Sequence, residues 1–143
     1  MKTYVVTEGA SDVALFERLI SRGGAGDVVV MDSKGKSNAS SLARSLLAAR
    51  RGRVVLILDA DTSDAGRAAE LRADLDAALG MVADRSSFAV ILVAPELEAL
   101  VMRDDVWAAA GQTPLSEGDR ELARVAPKVV LMKRLGTDRP VDF

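Results

Sequence analysis

Two apolar, β-branched runs that each end in acidic residues constrain the fold of this chain more than any other feature. Glu8 follows TYVVT, and Asp59 and Asp61 follow RVVLIL. Runs of this kind predict strands that are buried on both faces, as the strands of parallel sheets are. Since parallel strands end at one edge of their sheet, we expect the three carboxylates to lie together there, where open α/β sheets bind their ligands.

Strand-like and helix-like segments alternate along the chain, which predicts a parallel sheet with right-handed crossovers. The predicted strands are Thr3 to Thr7, Asp27 to Met31, Arg53 to Leu58 and Phe88 to Val93. The expected fold class is therefore α/β, a Rossmann-like four-stranded parallel sheet flanked by helices. The whole chain is expected to form a single domain, with a core over about residues 3–102 and a helical C-terminal segment over about residues 103–138.

Helices are predicted between the strands and after them. Ser11 is a suitable N-cap for the first helix, and the loop DSKGKSN precedes the second. Apolar residues that include Leu71, Leu75 and Leu79 lie on one face of the longest helix, which follows DADTSD. Glu96 is predicted to open a helix after the fourth strand, and Lys128 to Leu135 to form a final short helix.

The absence of two residue types narrows the chemistry that the acidic residues can perform. The chain has no His and no Cys, which excludes a tetrahedral zinc site, an imidazole base, a thiolate nucleophile and a disulfide framework. Three carboxylates that converge without a basic partner repel one another, and a divalent cation would offset that repulsion. Oxygen ligands favour Mg²⁺ or Mn²⁺ before Ca²⁺.

Net charge and hydropathy limit the partners and the location. The formal net charge of -2 gives no bulk attraction to nucleic acid, so such binding would need a local basic patch. No stretch is long enough to cross a bilayer, and the N-terminal MKTYVV runs directly into a predicted strand. We therefore expect a cytoplasmic protein without a membrane partner.

Three segments together carry a resemblance to a known family. The pattern VVTEG-x-SD, the segment LILDADTSD and a fourth strand that ends in APELEAL resemble the Toprim domain of topoisomerases, DnaG-type primases and small nucleases. The chain is most similar to the Toprim domain of the overcoming-lysogenization-defect (OLD) nucleases and to small stand-alone Toprim proteins. The resemblance covers about residues 3–102 and implies a metal-dependent nuclease, in which Glu8, Asp59 and Asp61 bind a catalytic Mg²⁺ or Mn²⁺.

The same resemblance implies further site residues and partners. Asp12 and Glu98 would help to hold a second ion, and Lys128 would neutralise charge as a late lysine does in OLD-type nucleases. OLD proteins carry an ATPase domain ahead of the Toprim part, and we expect no such domain in this protein. The partners expected are therefore nucleic acid, DNA in preference to RNA, a separate ATPase in phage defence or DNA repair, and a second copy of the chain.

Elementary chemistry supports some of these residues more than others. Two-metal phosphoryl transfer needs ions roughly 4 Å apart and about four to six carboxylates in one cleft. Acidic residues also favour helix N-termini through the helix dipole, which is a sufficient reason for Asp12 or Glu98 taken alone. Lys34 and Lys36, in the loop after the second strand, either hold a phosphate oxygen beside the acids or belong to an ordinary exposed loop.

Two other functions remain open on the sequence. DADTS approximates the DxDx[TV] signature of haloacid-dehalogenase phosphatases, whose first Asp is a phosphorylated nucleophile. That motif normally closes the first strand, whereas Asp59 ends the third predicted strand. The other alternative is a non-catalytic, Toprim-like interaction module. Three arginines, Arg50, Arg51 and Arg53, are predicted to lie at the opposite, amino-terminal edge of the sheet and to be solvated in preference to binding DNA. Trp107 is predicted to lie in the core or at an interface in preference to stacking on a base.

Overall fold

A four-stranded, all-parallel sheet forms the centre of the molecule, with the strand order β2-β1-β3-β4. The structure is a computed structural model, and it describes residues 1–24, 26–95, 99, 102–109 and 113–135. The strands are β1 (Thr3–Thr7), β2 (Val28–Asp32), β3 (Arg53–Asp59) and β4 (Phe88–Val93). The expected α/β fold class with a four-stranded parallel sheet is confirmed.

Helices connect the strands and follow the last of them. They are α1 (Ala10–Gly23), α2 (Lys36–Ala48), α3 (Ala65–Gly80), α4 (Asp104–Ala109), α5 (Glu117–Ala123) and α6 (Pro127–Leu135), and a 3₁₀ turn at Arg85–Ser87 precedes β4. At 16 residues, α3 is the longest helix within the described ranges, as predicted. None of the helices in these ranges is long and apolar enough to cross a lipid bilayer.

The predicted boundaries of the four strands and of the final helix agree with the structure to within one residue. Both β1 and β4 have the predicted bounds, β2 is displaced by one residue, and β3 extends to Asp59. The predicted N-cap at Ser11 is wrong, because α1 begins at Ala10 and its N-cap is Gly9, which has an extended backbone. The final helix is confirmed and begins one residue earlier, at Pro127, where a missing N–H costs nothing. The helix predicted from Glu96 falls outside the described residues.

Two apolar clusters cover the two faces of the sheet. Val5 and Val6 are neighbours in β1 and point to opposite faces, as strand geometry requires. On one face Val6 packs with Leu56 and with residues of α2 and α3, and on the other Val5 packs with Ile57 and with residues of α1. Val6 and Leu56 are both 0% exposed, so the two central strands, β1 and β3, are deeply buried.

The helices after β4 have a small core of their own. Its buried members are Trp107, Leu115, Ala123, Val130 and Leu131. Trp107 is 5% exposed, and the guanidinium of Arg134 lies 5.2 Å from the centre of its ring. The prediction that Trp107 is buried is confirmed, and the ring is not accessible for stacking on a base.

Candidate active site

The carboxyl edge of the sheet brings Glu8 and Asp59 into contact. Glu8 follows β1 directly and Asp59 is the last residue of β3, the neighbouring strand. The backbone N–H of Asp59 donates a hydrogen bond to Oε2 of Glu8, with an N···O distance of 2.8 Å. A hydrogen bond to a charged acceptor of this kind fixes the position of the carboxylate. Glu8 is therefore held against the end of β3.

Asp61 lies in a sharply turned segment after β3. Its φ is 52°, in the left-handed region that Asp tolerates better than most residues. Its N–H donates to the carbonyl of Pro95 at 2.8 Å, and the N–H of Ala60 donates to the carbonyl of Val93 at 2.9 Å. These bonds tie the segment that carries Asp61 to the end of β4.

The third contribution to this edge comes from the loop between β2 and α2. The buried side chain of Ser33 donates to the carbonyl of Thr7 at 2.6 Å, and the N–H of Gly35 donates to the carbonyl of Glu8 at 2.8 Å. Lys34 and Gly35 both have positive φ, at 56° and 125°. The loop is thereby anchored to the end of β1, and α2 starts immediately beside the acidic residues.

Lys36, the first residue of α2, makes an ion pair with Asp61. Its Nζ lies 2.6 Å from Oδ2 of Asp61, and the two side chains are 31% and 63% exposed. The premise that the three carboxylates have no basic partner is therefore wrong. The loop whose role the sequence leaves open supplies that partner, because its two left-handed residues turn α2 toward the end of β3.

The structure locates the remaining predicted site residues in different places. Asp12 lies in the first turn of α1, at the same edge of the sheet as Glu8. Lys128 is an exposed residue near the start of α6, in the C-terminal segment. Glu98 lies outside the described residues. The contacts thus form two pairs, Glu8 with the amide of Asp59 and Lys36 with Asp61, and their members come from three different strand ends.

The donor atoms at this edge are of the type that a hard divalent cation prefers, but they are not arranged as a metal site. Carboxylate oxygens are the ligands that Mg²⁺ and Mn²⁺ prefer. Among the residues that the structure describes, however, no group of three or more Asp, Glu, His or Cys side chains is arranged to hold a metal ion. Glu8 is occupied by the amide of Asp59 and Asp61 by Lys36, so a cation would have to displace at least the ammonium group.

One buried polar group at this edge cannot be recognised from the sequence. Thr7, the last residue of β1, is 1% exposed, and its hydroxyl has no hydrogen-bond partner within the described part of the chain. Buried hydroxyl groups are usually paired, so this one is an exception. Nothing in the residue pattern distinguishes Thr7 from an ordinary strand residue.

Comparisons with known proteins find no match to this chain among family models, curated proteins or solved structures.

Proposed function

We propose that this protein is a Toprim-type nuclease that depends on Mg²⁺ or Mn²⁺ and acts on nucleic acid, DNA in preference to RNA. The observation that carries the proposal is the hydrogen bond between Glu8 and the amide of Asp59. It joins the acidic ends of two neighbouring strands at the edge where α/β sheets bind ligands. The motifs VVTEG-x-SD and LILDADTSD, which resemble Toprim motifs, contain these same residues.

In this proposal Glu8, Asp59 and Asp61 are the residues that would hold one cation, with Asp12 and Glu98 available for a second. When bound, such ions activate an attacking water or hydroxyl and stabilise the leaving oxygen of a phosphodiester. The role of the protein is to hold the carboxylates in position. The amide of Asp59 holds the carboxylate of Glu8, and the backbone bond of Asp61 to Pro95 holds the segment that carries Asp61.

Lys36 has two consecutive roles in this proposal. In the absence of a divalent cation, its ammonium group compensates the charge of Asp61 at 2.6 Å. When nucleic acid is bound, the same group is suited to contact a phosphate oxygen, because it lies at the carboxyl edge directly after an anchored loop. Lys128 is proposed as a second neutralising lysine on the resemblance alone. We also propose a cytoplasmic location, and a separate ATPase and a second copy of the chain as partners.

The test is a cleavage assay with supercoiled, linear and single-stranded DNA and a single-stranded RNA. Wild-type protein should cleave at least one substrate with Mg²⁺ or Mn²⁺ and none with EDTA. Asp59→Asn should be inactive, whereas Asp74→Asn, which removes an exposed carboxylate from α3, should be fully active. Cleavage that persists in EDTA, or in Asp59→Asn, would contradict the proposal.

A second candidate is the non-catalytic interaction module, and one observation favours it. The described acidic residues form no ready-made metal group, and Asp61 is already neutralised by a lysine. This candidate predicts no cleavage of any substrate, either by the protein alone or with an added ATPase. A haloacid-dehalogenase mechanism would instead leave a covalent phosphate on Asp59 during turnover, which intact-mass analysis would detect.

A further inference from the structure

A cavity of about 780 Å³ lies at the amino edge of the sheet, at the opposite ends of the strands from the acidic residues. It is formed where β1 and β3 begin and where α2 and α3 end. The charged residues that line it are the four cations Lys2, Arg50, Arg51 and Arg53 and the single carboxylate of Asp84. A protein with a net charge of -2 therefore concentrates positive charge at one place on its surface.

The four cationic side chains are exposed and have no fixed partner. None of them makes a side-chain hydrogen bond or an ion pair with any residue in the described ranges, whereas Arg85, next to the cavity, is paired with Asp76 at 2.9 Å. Unpaired cations that are close together repel one another, and a bound anion would relieve that repulsion. The cavity thus has the charge complementarity of an anion-binding site.

The backbone holds these cations together. The N–H of Arg53 donates to the carbonyl of Lys2 at 3.0 Å, and Arg53 is the register partner of Thr3. Gly52, with φ at 156°, approaches Lys2 so closely that a Cβ there would lie 2.2 Å from the same carbonyl. Lys2 and Arg53 are consequently neighbours because of how β1 and β3 pair.

The helix dipole accounts for only part of this cluster. Arg50 and Arg51 follow the C-terminus of α2, where positive charge is favourable for the helix itself. Arg53 belongs to β3 and Lys2 precedes β1, so neither residue is explained in this way. A ligand that needs all four cations is the simplest reason for their proximity.

We infer that the amino edge of the sheet binds the phosphate backbone of nucleic acid. Sites for small molecules are mostly apolar and enclosed, whereas this cavity is open and has a charged rim. No aromatic residue lines it within the described part of the chain, so recognition would be confined to phosphates, without base stacking or sequence preference. The inference rests on the proposed function only for the class of ligand. It adds a second binding surface, which the seven residues of β3 separate from the acidic residues by about 20 Å.

The experiment measures binding without cleavage. Fluorescein-labelled single-stranded and duplex oligodeoxynucleotides are titrated with full-length protein in EDTA, with anisotropy as the readout and several salt concentrations. Arg51→Gln/Arg53→Gln should bind at least about tenfold more weakly. The slope of log K against log salt for the duplex should fall by about two, because each arginine that neutralises a phosphate contributes about one to it. Melting temperatures and circular dichroism of each variant establish that it is folded.

The matched control is Arg18→Gln/Arg72→Gln, which removes the same charge from exposed positions of α1 and α3. It should bind with less than about a twofold loss. Equal losses in the two double variants would overturn the inference, since they would indicate bulk electrostatics. Binding of inorganic phosphate at the cavity without any oligonucleotide binding would also overturn it, in favour of a small-anion site.

Asp59→Asn separates this inference from the proposed function. It should bind the labelled strands as wild type does, because its substitution leaves the amino edge intact. Binding that is normal in wild type, without cleavage under any condition, would support the inference while contradicting the nuclease. If cleavage depends on Asp59 while Arg51→Gln/Arg53→Gln leaves the affinity for the oligonucleotides unchanged, the nuclease is supported and the inference is contradicted.

Discussion

Charge is handled differently at the two edges of the sheet, although β3 contributes to both. At the carboxyl edge, the amide of Asp59 holds Glu8 and the ammonium of Lys36 pairs with Asp61. At the amino edge, Arg53 and its cationic neighbours have no side-chain partner among the described residues. Fixed groups suit a site that must align reacting atoms, and exposed, unpaired cations suit binding that tolerates many positions of a ligand. Under the proposed function and the further inference, the carboxyl edge performs the chemistry and the amino edge retains the substrate.

The largest expected effect is at the carboxyl edge, where Asp61→Asn should abolish cleavage. The substitution removes a proposed metal ligand and the partner of Lys36. The side chain of Asp61 is 63% exposed, so the loss of its ion pair should cost less than about 1 kcal/mol of stability. A cleavage assay together with far-ultraviolet circular dichroism checks both parts.

Retention of wild-type cleavage by Asp61→Asn would contradict the division between the edges. The variant Asp74→Asn provides the carboxylate control, and binding of labelled DNA in EDTA should be the same in all three proteins.

The next effect concerns the backbone of the amino edge, which Gly52→Ala should disrupt. A Cβ at this position would lie 2.2 Å from the carbonyl oxygen of Lys2. Forcing that contact should lower the free energy of unfolding by at least about 1–3 kcal/mol, the usual cost of overpacking. Urea denaturation measures the change, and oligonucleotide binding should weaken with it because Lys2 and Arg53 separate.

Gly80→Ala is the control for this prediction. Gly80 ends α3 beside the same cavity, and a Cβ there would meet no atom within 4 Å. The substitution should raise stability by about 0.4–1 kcal/mol through the unfolded chain. Equal stability of the two alanine variants would mean that the backbone at Gly52 does not hold Lys2 and Arg53 together.

A smaller effect is expected for an ion pair that is structural and not catalytic. The Nζ of Lys133 lies 2.9 Å from Oδ1 of Asp119, and this contact, which outweighs the opposing effect of burial, lowers the pKa of Asp119 below its ordinary value of 3.8. A carboxyl group whose pKa is lowered by folding stabilises the protein above its unfolded-state pKa and loses that contribution as pH falls through its folded-state pKa.

Asp119→Asn should consequently melt at a lower temperature than wild type at pH 7, and the difference should shrink below pH 3.8. Thermal melts at a series of acidic and neutral pH values measure this. A difference that stays constant throughout the acidic range would show that the variant acts through packing alone. The effect of the Lys133–Asp119 pair on the melting temperature is then the reference for the effect of the Lys36–Asp61 pair.

The smallest effect on stability is expected for Lys36→Met. The pair with Asp61 is partly exposed, and exposed ion pairs contribute about 0–1 kcal/mol. The same change removes a cation that competes for Asp61, so the affinity for Mn²⁺ should rise while cleavage falls. Tighter Mn²⁺ binding with undiminished cleavage would remove Lys36 from the proposed contact with phosphate.

The sequence is sufficient for the sheet because each strand is a continuous apolar run. Leu56 and its neighbours in β3 are buried on both faces, and this burial is what the unbroken run RVVLIL indicates. The helical character of about residues 103–138 is predicted, but the separate short helices α4 and α5 are not, since six and seven residues carry too little periodicity to give their bounds. Their core around Trp107 depends on contacts between helices that no local pattern contains.

The candidate site is predictable only in part. The acidic residues follow from strand ends, but the pairing of Lys36 with Asp61 depends on left-handed backbone at Lys34 and Asp61, which residue patterns do not specify. The position of the arginines near Gly52, solvated at the amino edge, is as predicted. The cavity that these arginines line is not predictable in this way, because it is formed by the ends of α2 and α3, which are distant in sequence.

The most direct test of a divalent-cation site at the carboxyl edge is a calorimetric titration of Mn²⁺ into wild type, Asp59→Asn and Asp74→Asn. Saturable binding is expected for wild type and for Asp74→Asn. Asp59→Asn should lose that binding, because the carboxylates at the ends of β1 and β3 are the proposed ligands. Wild type that binds no Mn²⁺, or Asp59→Asn that binds it as wild type does, would contradict such a site.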